Sequence, residues 1–380
     1  MIVEKLSNTI EIKRYLKELG VDGGGINILA SKALTHIISI KALHVGAANI
    51  LKQDALSIGA DLAVPRGTVI ALTPEVDCIL IANTRHLELL AKKELSQPFG
   101  LKELALKLKE FTQRQKPKKI DIMGVINTND DSFFNESRFS DTDAVTKIEE
   151  MIRDGATIID IGGVSSRPNA AVVSFEEELS RVQPILDLIK QKKLYEQVEF
   201  SIDSYAPEVI KYALDSGFKI VNDITGLAND EVCKLCGSYK ATAVIMHMQG
   251  TPQTMQDNPS YNSILSDVYS FFQERMLKAQ SFGIDDIILD VGIGFGKELD
   301  DNLLLIKNLE HFLTLEKRLL IGASRKSMID KITPSQTQER LAGTLALHLE
   351  ALRNGASVLR VHDVYEHHQV IEVQKRIDSV

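Results

Sequence analysis

From residue 120 onward, short apolar runs rich in β-formers alternate with longer amphipathic runs, and this alternation restricts the chain to a parallel α/β architecture. Eight runs qualify as strands: 120–127, 156–161, 198–203, 219–223, 241–247, 286–291, 318–322 and 357–361. Each is followed by a helix-like segment such as 141–154 or 261–282. The strand runs are continuously apolar, as expected when helices cover both faces of a parallel sheet. Eight βα units in roughly 260 residues match a (β/α)8 barrel, whereas a doubly wound sheet more often has fewer strands. In such a barrel the active site gathers at the C-terminal ends of the strands, so the polar residues that end these runs become the candidates.

The basic, polar stretch 113–119 carries Pro117 and marks a domain boundary, giving a small α/β domain at 1–116 and the barrel at 117–380. In the first domain Gly23-Gly24-Gly25 reads as a turn. Apolar segments fall at 26–30, 69–72 and 78–82, and helical patterns at 87–93 and 101–111. His44, Lys52, Arg66 and His86 form no recognisable constellation there and read as surface or structural residues.

A formal net charge of −8 and a pI near 5.7 disfavour nucleic acid and anionic membranes as partners. No segment approaches the ~20 apolar residues of a membrane helix, and the N-terminus lacks an apolar signal core, so a cytoplasmic location is expected. Three cysteines do not make a disulfide framework. The pair Cys233 and Cys236 has Cys-x-x-Cys spacing but no second ligand pair for zinc, and inside a helix it reads as two small packed side chains.

The strand ends are unlike ordinary turn filler. The first ends at Asn127, followed by Thr128-Asn129-Asp130-Asp131-Ser132-Phe133, and the second in Asp160-Ile161-Gly162-Gly163-Val164-Ser165-Ser166-Arg167-Pro168. Then come Asp203-Ser204, Asn222-Asp223, Met246-His247, and Asp290-Val291-Gly292-Ile293-Gly294-Phe295-Gly296-Lys297. The last two are Gly322-Ala323-Ser324-Arg325-Lys326 and Arg360-Val361-His362-Asp363. Singly, each has a bland reading as a helix cap or a surface ion pair. Gathered at one face of one barrel they bring cations, carboxylates and amides into a single pocket.

Asp203, Asn222 and Asp290 suit a flat heterocycle with amidine-like N–H groups, and Lys326 donates to a ring carbonyl or nitrogen. Arg360 and His362, two positions apart on the last strand, point to the same side, and with Asn127 they suit a phosphate and its metal ion. The glycine run ending at Lys297 is not a Walker A loop, since Val291 replaces its first glycine and Glu298 its Ser or Thr. Its glycines allow close backbone approach to a ligand and expose Phe295 for packing.

In this order, from about Lys119 to the C-terminus, the strand-end motifs are similar to those of dihydropteroate synthase. The resemblance implies that Asp203, Asn222, Asp290 and Lys326 hold a pterin, with Met246, Gly294 and Phe295 shaping its slot. It implies that Arg360, His362 and Asn127 bind pyrophosphate, Asn127 through Mg2+. The first two loops, with Asp131, Ser132, Phe133, Ser166, Arg167 and Pro168, would close over the site and form an aminobenzoate pocket with Lys326 and Ser324. Lys326, Arg360, Asp203, Asp131 and Arg167 are then the expected catalytic residues.

The implied reaction joins a dihydropterin pyrophosphate to p-aminobenzoate. Pyrophosphate departs first, and the amine captures the resulting pterin methylene cation. The resemblance further implies a homodimer built through outer-ring helices, and a target for sulfonamides. Both loops depart from the usual pattern, with Asn129-Asp130 where Thr-Pro is usual and Val164 where Glu is usual. A pterin-dependent methyltransferase, which needs no pyrophosphate grip, and a non-catalytic pterin-binding paralogue are the rival readings.

Overall fold

In the computed structural model, which describes residues 1–4, 6, 11–113, 117, 119–128, 141–165 and 173–379, the chain forms two compact units, Met1–Gln115 and Lys116–Val380. The first is built on three antiparallel strands, β1 (Thr35–His44), β2 (Asp61–Ala63) and β3 (Glu75–Asn83), in the order β1-β3-β2. Along β3, Val76, Cys78, Leu80 and Ala82 are buried while their neighbours face outward, the period of two that one covered face requires. That face packs on the helices Val45–Ser57, Thr84–Lys93 and Leu101–Gln113 through Leu51, Leu87, Leu90 and Leu108.

Gly23-Gly24-Gly25 is not a turn. The three glycines form the first turn of the helix Gly23–Ala33, whose N-cap Asp22 accepts the Gly24 N–H at 2.9 Å. The cap and the helix-forming residues that follow offset the glycine penalty. The 69–72 segment adds no strand: Val69, Ile70 and Leu72 are exposed around the short 3-10 turn Thr68–Ile70.

The second unit is the expected barrel. Its strands are β4 (Asp121–Asn127), β5 (Ile158–Gly162), β6 (Glu199–Asp203), β7 (Ile220–Asp223), β8 (Thr242–Met246), β9 (Ile287–Asp290), β10 (Arg318–Ile321) and β11 (Val358–Val361). All pair in parallel and close in sequence order, β11 meeting β4. Outer helices bury one stripe each. On Phe175–Lys192 it is Val182, Ile185, Leu186 and Ile189, at the three-and-four spacing of a helix face.

Cys233 and Cys236 are buried within the helix Asp230–Tyr239, where burial pushes the Cys236 thiol up to about 12, far from a reactive thiolate. No helix among the described residues is long and apolar enough to cross a membrane.

Candidate functional site

The barrel interior is plugged by one apolar cluster, Met123, Ile158, Ile220, Val244, Ile288, Leu320 and Val358, one residue from nearly every strand. Because side chains alternate across a strand, the residue two positions further along also points inward. Those next positions are Val125, Asp160, Asn222, Met246, Asp290, Gly322 and Arg360. The polar layer therefore sits directly above the plug because of the parity of each strand. The register Asn127↔Gly162, Gly162↔Asp203 and Asp203↔Asn222 carries the row around one side. Above the plug lies a pocket lined by Asp203, Asn222, Met246, Asp290, Phe295, Lys326 and Arg360, with Ile224 and Gly322 completing the wall.

Arg360 is the hub. Its Nε donates to Asp160 Oδ2 and its Nη2 to Asp203 Oδ2, both at 2.6 Å, and Asn222 Nδ2 donates to the same Asp160 oxygen at 3.1 Å. Asp160, fully buried, was visible in the sequence only as the start of a loop motif; its inward parity above Ile158 was the signal for a role in the site. Burial pushes the Asp203 carboxyl up to about 7 against the pull of Arg360, and the Asp160 charge adds to the push. Burial alone would lower the Arg360 guanidinium, yet the two carboxylates hold it above its ordinary range.

The opposite wall is formed by the loop after β9. Burial raises the Asp290 carboxyl, while the Gly292 N–H, donating to its Oδ1 at 2.8 Å, and the charge of Lys326 pull it back. Lys326 donates from Nζ to the Ile293 carbonyl and lies 4.5 Å from the centre of the Phe295 ring. Burial lowers its ammonium to about 8, with Asp290 opposing. Gly292, at φ +68°, is obligatory: a Cβ there would lie 1.9 Å from the His247 carbonyl oxygen.

Lys297 is the second residue whose role was not read from sequence. Buried to 2% exposure, its Nζ lies within 2.9–3.1 Å of His247 Nδ1 and of the carbonyls of His247, Gly292 and Phe295. It pins the glycine loop that presents Phe295. Burial lowers its pKa to about 7 and, with the Lys297 charge, drives His247 down to about 3.

Of the other expected residues, Gly294 abuts Lys326, and a Cβ there would meet its Cδ at 3.3 Å. Ser324 Oγ and His362 Nδ1 are 2.9 Å apart, and the His362 backbone N–H also donates to Ser324 Oγ at 3.3 Å. The hydroxyl can accept both the backbone N–H and a ring N–H, or donate to Nδ1, so this contact joins the two loops with either tautomer of His362. Beside them Arg325 grips Asp363 with two hydrogen bonds. Asn127 is half-buried at the end of β4. Asp131, Ser132, Phe133, Ser166, Arg167 and Pro168 lie outside the described residues. Arg181 anchors the start of the second loop, its Nη1 donating to the Gly163 carbonyl at 3.0 Å.

A family model described as pterin binding enzyme matches residues 123–362. The chain is 43% identical over 379 residues to a protein of Helicobacter pylori named bifunctional dihydropteroate synthase/dihydropteroate reductase, covering 100% of both. It is 40% identical over 248 residues to the dihydropteroate synthase of Escherichia coli, covering 64% of this chain and 87% of that one. Among solved structures, the Yersinia pestis dihydropteroate synthase with a sulfonamide drug complex superposes with a TM-score of 0.66 at 34% identity, covering 69% of this chain and 95% of that one.

Proposed function

Because the chain belongs to the dihydropteroate synthase family of pterin-binding enzymes, we propose that the pocket centred on Arg360 performs that transferase reaction with the following division of labour. The single observation that carries the assignment is the bridging of Asp160 and Asp203 by Arg360, opposite Asp290 and Lys326 in the same pocket.

Asp203, Asn222 and Asp290 face the pterin ring, the two carboxylates accepting from its amidine-like N–H groups. Lys326 donates to a ring acceptor, and Phe295 closes the slot. Asp160 holds Arg360 from behind, so that its remaining N–H groups and the His362 ring meet the anionic leaving group. The C–O bond between the pterin methylene and pyrophosphate breaks, its electron pair leaving with pyrophosphate. The amine nitrogen of p-aminobenzoate then forms the C–N bond and loses a proton. The buried carboxylates favour the positive charge that develops on the ring between these events.

Mg2+ fits this arrangement. It is commonly held by one or two protein oxygens together with substrate phosphates and water, and Asn127, at the end of β4 beside Gly162, would supply one amide oxygen. When bound it would neutralise leaving-group charge.

The test is a single-turnover assay of pyrophosphate release with dihydropterin pyrophosphate, p-aminobenzoate and Mg2+, repeated with Lys326→Ala and Arg360→Ala. Full activity in both variants would overturn the assignment. Binding without pyrophosphate release by the wild type would favour the non-catalytic paralogue. A homodimer is part of the same reading, and light scattering at micromolar concentration checks it, a monomeric mass counting against it.

A second reading adds to this one. The match to the Helicobacter protein runs through residues 1–115 as well as the barrel, and that protein's name includes a dihydropteroate reductase. The first unit is therefore assigned a part in reducing the product, dihydropteroate. Incubating the full chain with dihydropteroate and a nicotinamide hydride donor should give the tetrahydro product; none forming would remove this reading and leave the synthase intact.

A further inference from the structure

Behind the last two strand-end loops lie two fully buried histidines with no part in the reaction described above: His348 on the helix Leu341–Arg353 and His367 on Val364–Asp378. The Ala323 N–H is 3.0 Å from His348 Nε2, His348 Nδ1 is 2.8 Å from His367 Nε2, and His367 Nδ1 is 2.5 Å from the Asp363 carbonyl oxygen.

The two ends of this chain of bonds fix its direction. An amide N–H only donates, so His348 Nε2 must accept and the ring proton must sit on Nδ1. A carbonyl only accepts, so His367 Nδ1 must carry its proton and Nε2 must accept from His348. Every ring nitrogen is used once, and both rings are neutral with the proton on Nδ1. An extra proton on either ring would remove an acceptor that the chain of bonds requires. Burial holds both imidazoles below their ordinary range. The charges of Lys326 and His362 further oppose protonation of His348, while Asp363 and Glu366 favour it at His367.

The ends of the relay are at functionally sensitive places. Ala323 immediately precedes Ser324-Arg325-Lys326, and Asp363 immediately follows Arg360-Val361-His362. Ala323 is fully buried just past the end of β10, so its N–H needs an acceptor or costs stability. On the ligand side the same two loops are joined by Ser324 to His362 and by Arg325 to Asp363. Two imidazoles are a costly filling for a core that leucine could occupy, unless their bonds do something apolar packing cannot.

We propose that His348 and His367 form a neutral, directional hydrogen-bond relay that sets the Lys326 loop against the strand end carrying Arg360 and His362, making both histidines positioning residues for the transfer reaction. The proposal rests on the synthase reading, and its first test does not depend on activity. Nitrogen-15 histidine NMR of the full chain at pH 7 should show His348 and His367 as neutral Nδ1–H tautomers. An Nε2–H tautomer or a charged ring at either position would overturn the relay.

The second test compares His348→Leu with His348→Gln, whose amide oxygen can still accept the Ala323 N–H. With folding checked by circular dichroism and thermal melting, His348→Leu should lower kcat about tenfold to a hundredfold, the scale of a misplacement near 1 Å, and His348→Gln should recover much of it. If the pair were packing alone, leucine would serve at least as well as glutamine, and that order of activities would overturn the positioning role. Should His348→Leu fail to fold, the tautomers and the activity of His348→Gln decide.

Discussion

Replacing Arg360 tests the centre of the site most directly, and the structure sets the size of the effect. The guanidinium spans the fully buried Asp160 and the largely buried Asp203 at once, with a 2.6 Å bond to each. In Arg360→Lys the single ammonium keeps the charge but cannot fork, so one charge-assisted hydrogen bond is lost. Such a bond contributes about 1.5–3 kcal/mol, which corresponds to a loss of about tenfold to a hundredfold in kcat/KM if it is needed in the transition state. Arg360→Met removes both and leaves Asp160 and Asp203 buried without a counter-charge, at a cost of about 3–5 kcal/mol of stability. At 23% exposure the side chain keeps some contact with water, so the lower end of that range is expected. Asp203 adds a diagnostic. Burial and the Asp160 charge already push it to about 7, and without Arg360 nothing comparable opposes them. Its protonated form then persists to higher pH, so Arg360→Met should lose most at neutral pH and partly recover as pH rises. Single-turnover pyrophosphate release from pH 6 to 9, with melting curves for each variant, measures all three effects. Wild-type kcat/KM and an unmoved pH profile in Arg360→Met would refute this account of the hub.

Other outcomes follow from the same geometry. In the wild type, pterin affinity measured by calorimetry should fall as pH drops through about 7, because Asp203 accepts a ring N–H well only when ionised; an affinity flat from pH 5 to 8 would contradict this. Lys297→Met strips a donor from three backbone carbonyls and should weaken pterin binding by loosening the Phe295 loop, at a stability cost of about 1–3 kcal/mol for each carbonyl left unsatisfied. Lys297, held down to about 7, penalises folding while it is charged, so wild-type stability from this group rises with pH above 7; Lys297→Met should lose that rise in denaturant titrations. In the first unit Glu94 is fully buried, and burial, with Asp54 alongside, raises its carboxyl to about 7. Its contribution is present at low pH and lost as pH rises through 7, so Glu94→Gln should stabilise the protein at pH 8 and change little at pH 5. Equal effects at both pH values would remove the argument.

How far the site could be read from the sequence depended on parity. Each barrel strand is a continuous apolar run that fixes where it ends, and a period of two then decides which terminal residues turn inward. Asp203, Asn222, Asp290 and Arg360 were readable that way, and the structure places them around one pocket. Asp160 obeys the same rule two residues beyond Ile158, but the glycine-rich loop that follows it drew the stronger signal. Lys297 was hidden for a different reason. A lysine after a glycine run suggests a phosphate ligand or a solvated side chain, and only the folded loop shows three carbonyls and an imidazole converging on it. The histidine pair was further from reach, since His348 and His367 sit in helical runs whose pattern says only that these positions face inward. Gly23-Gly24-Gly25 shows the opposite error, where local propensity was trusted and one aspartate cap reversed it. The strand ends therefore declare which groups line the pocket, because their direction follows from local geometry. The groups that hold those strand ends in place are fixed by contacts between segments far apart in the chain, such as Asp160 with Arg360 or Ala323 with His348, and no local pattern encodes them.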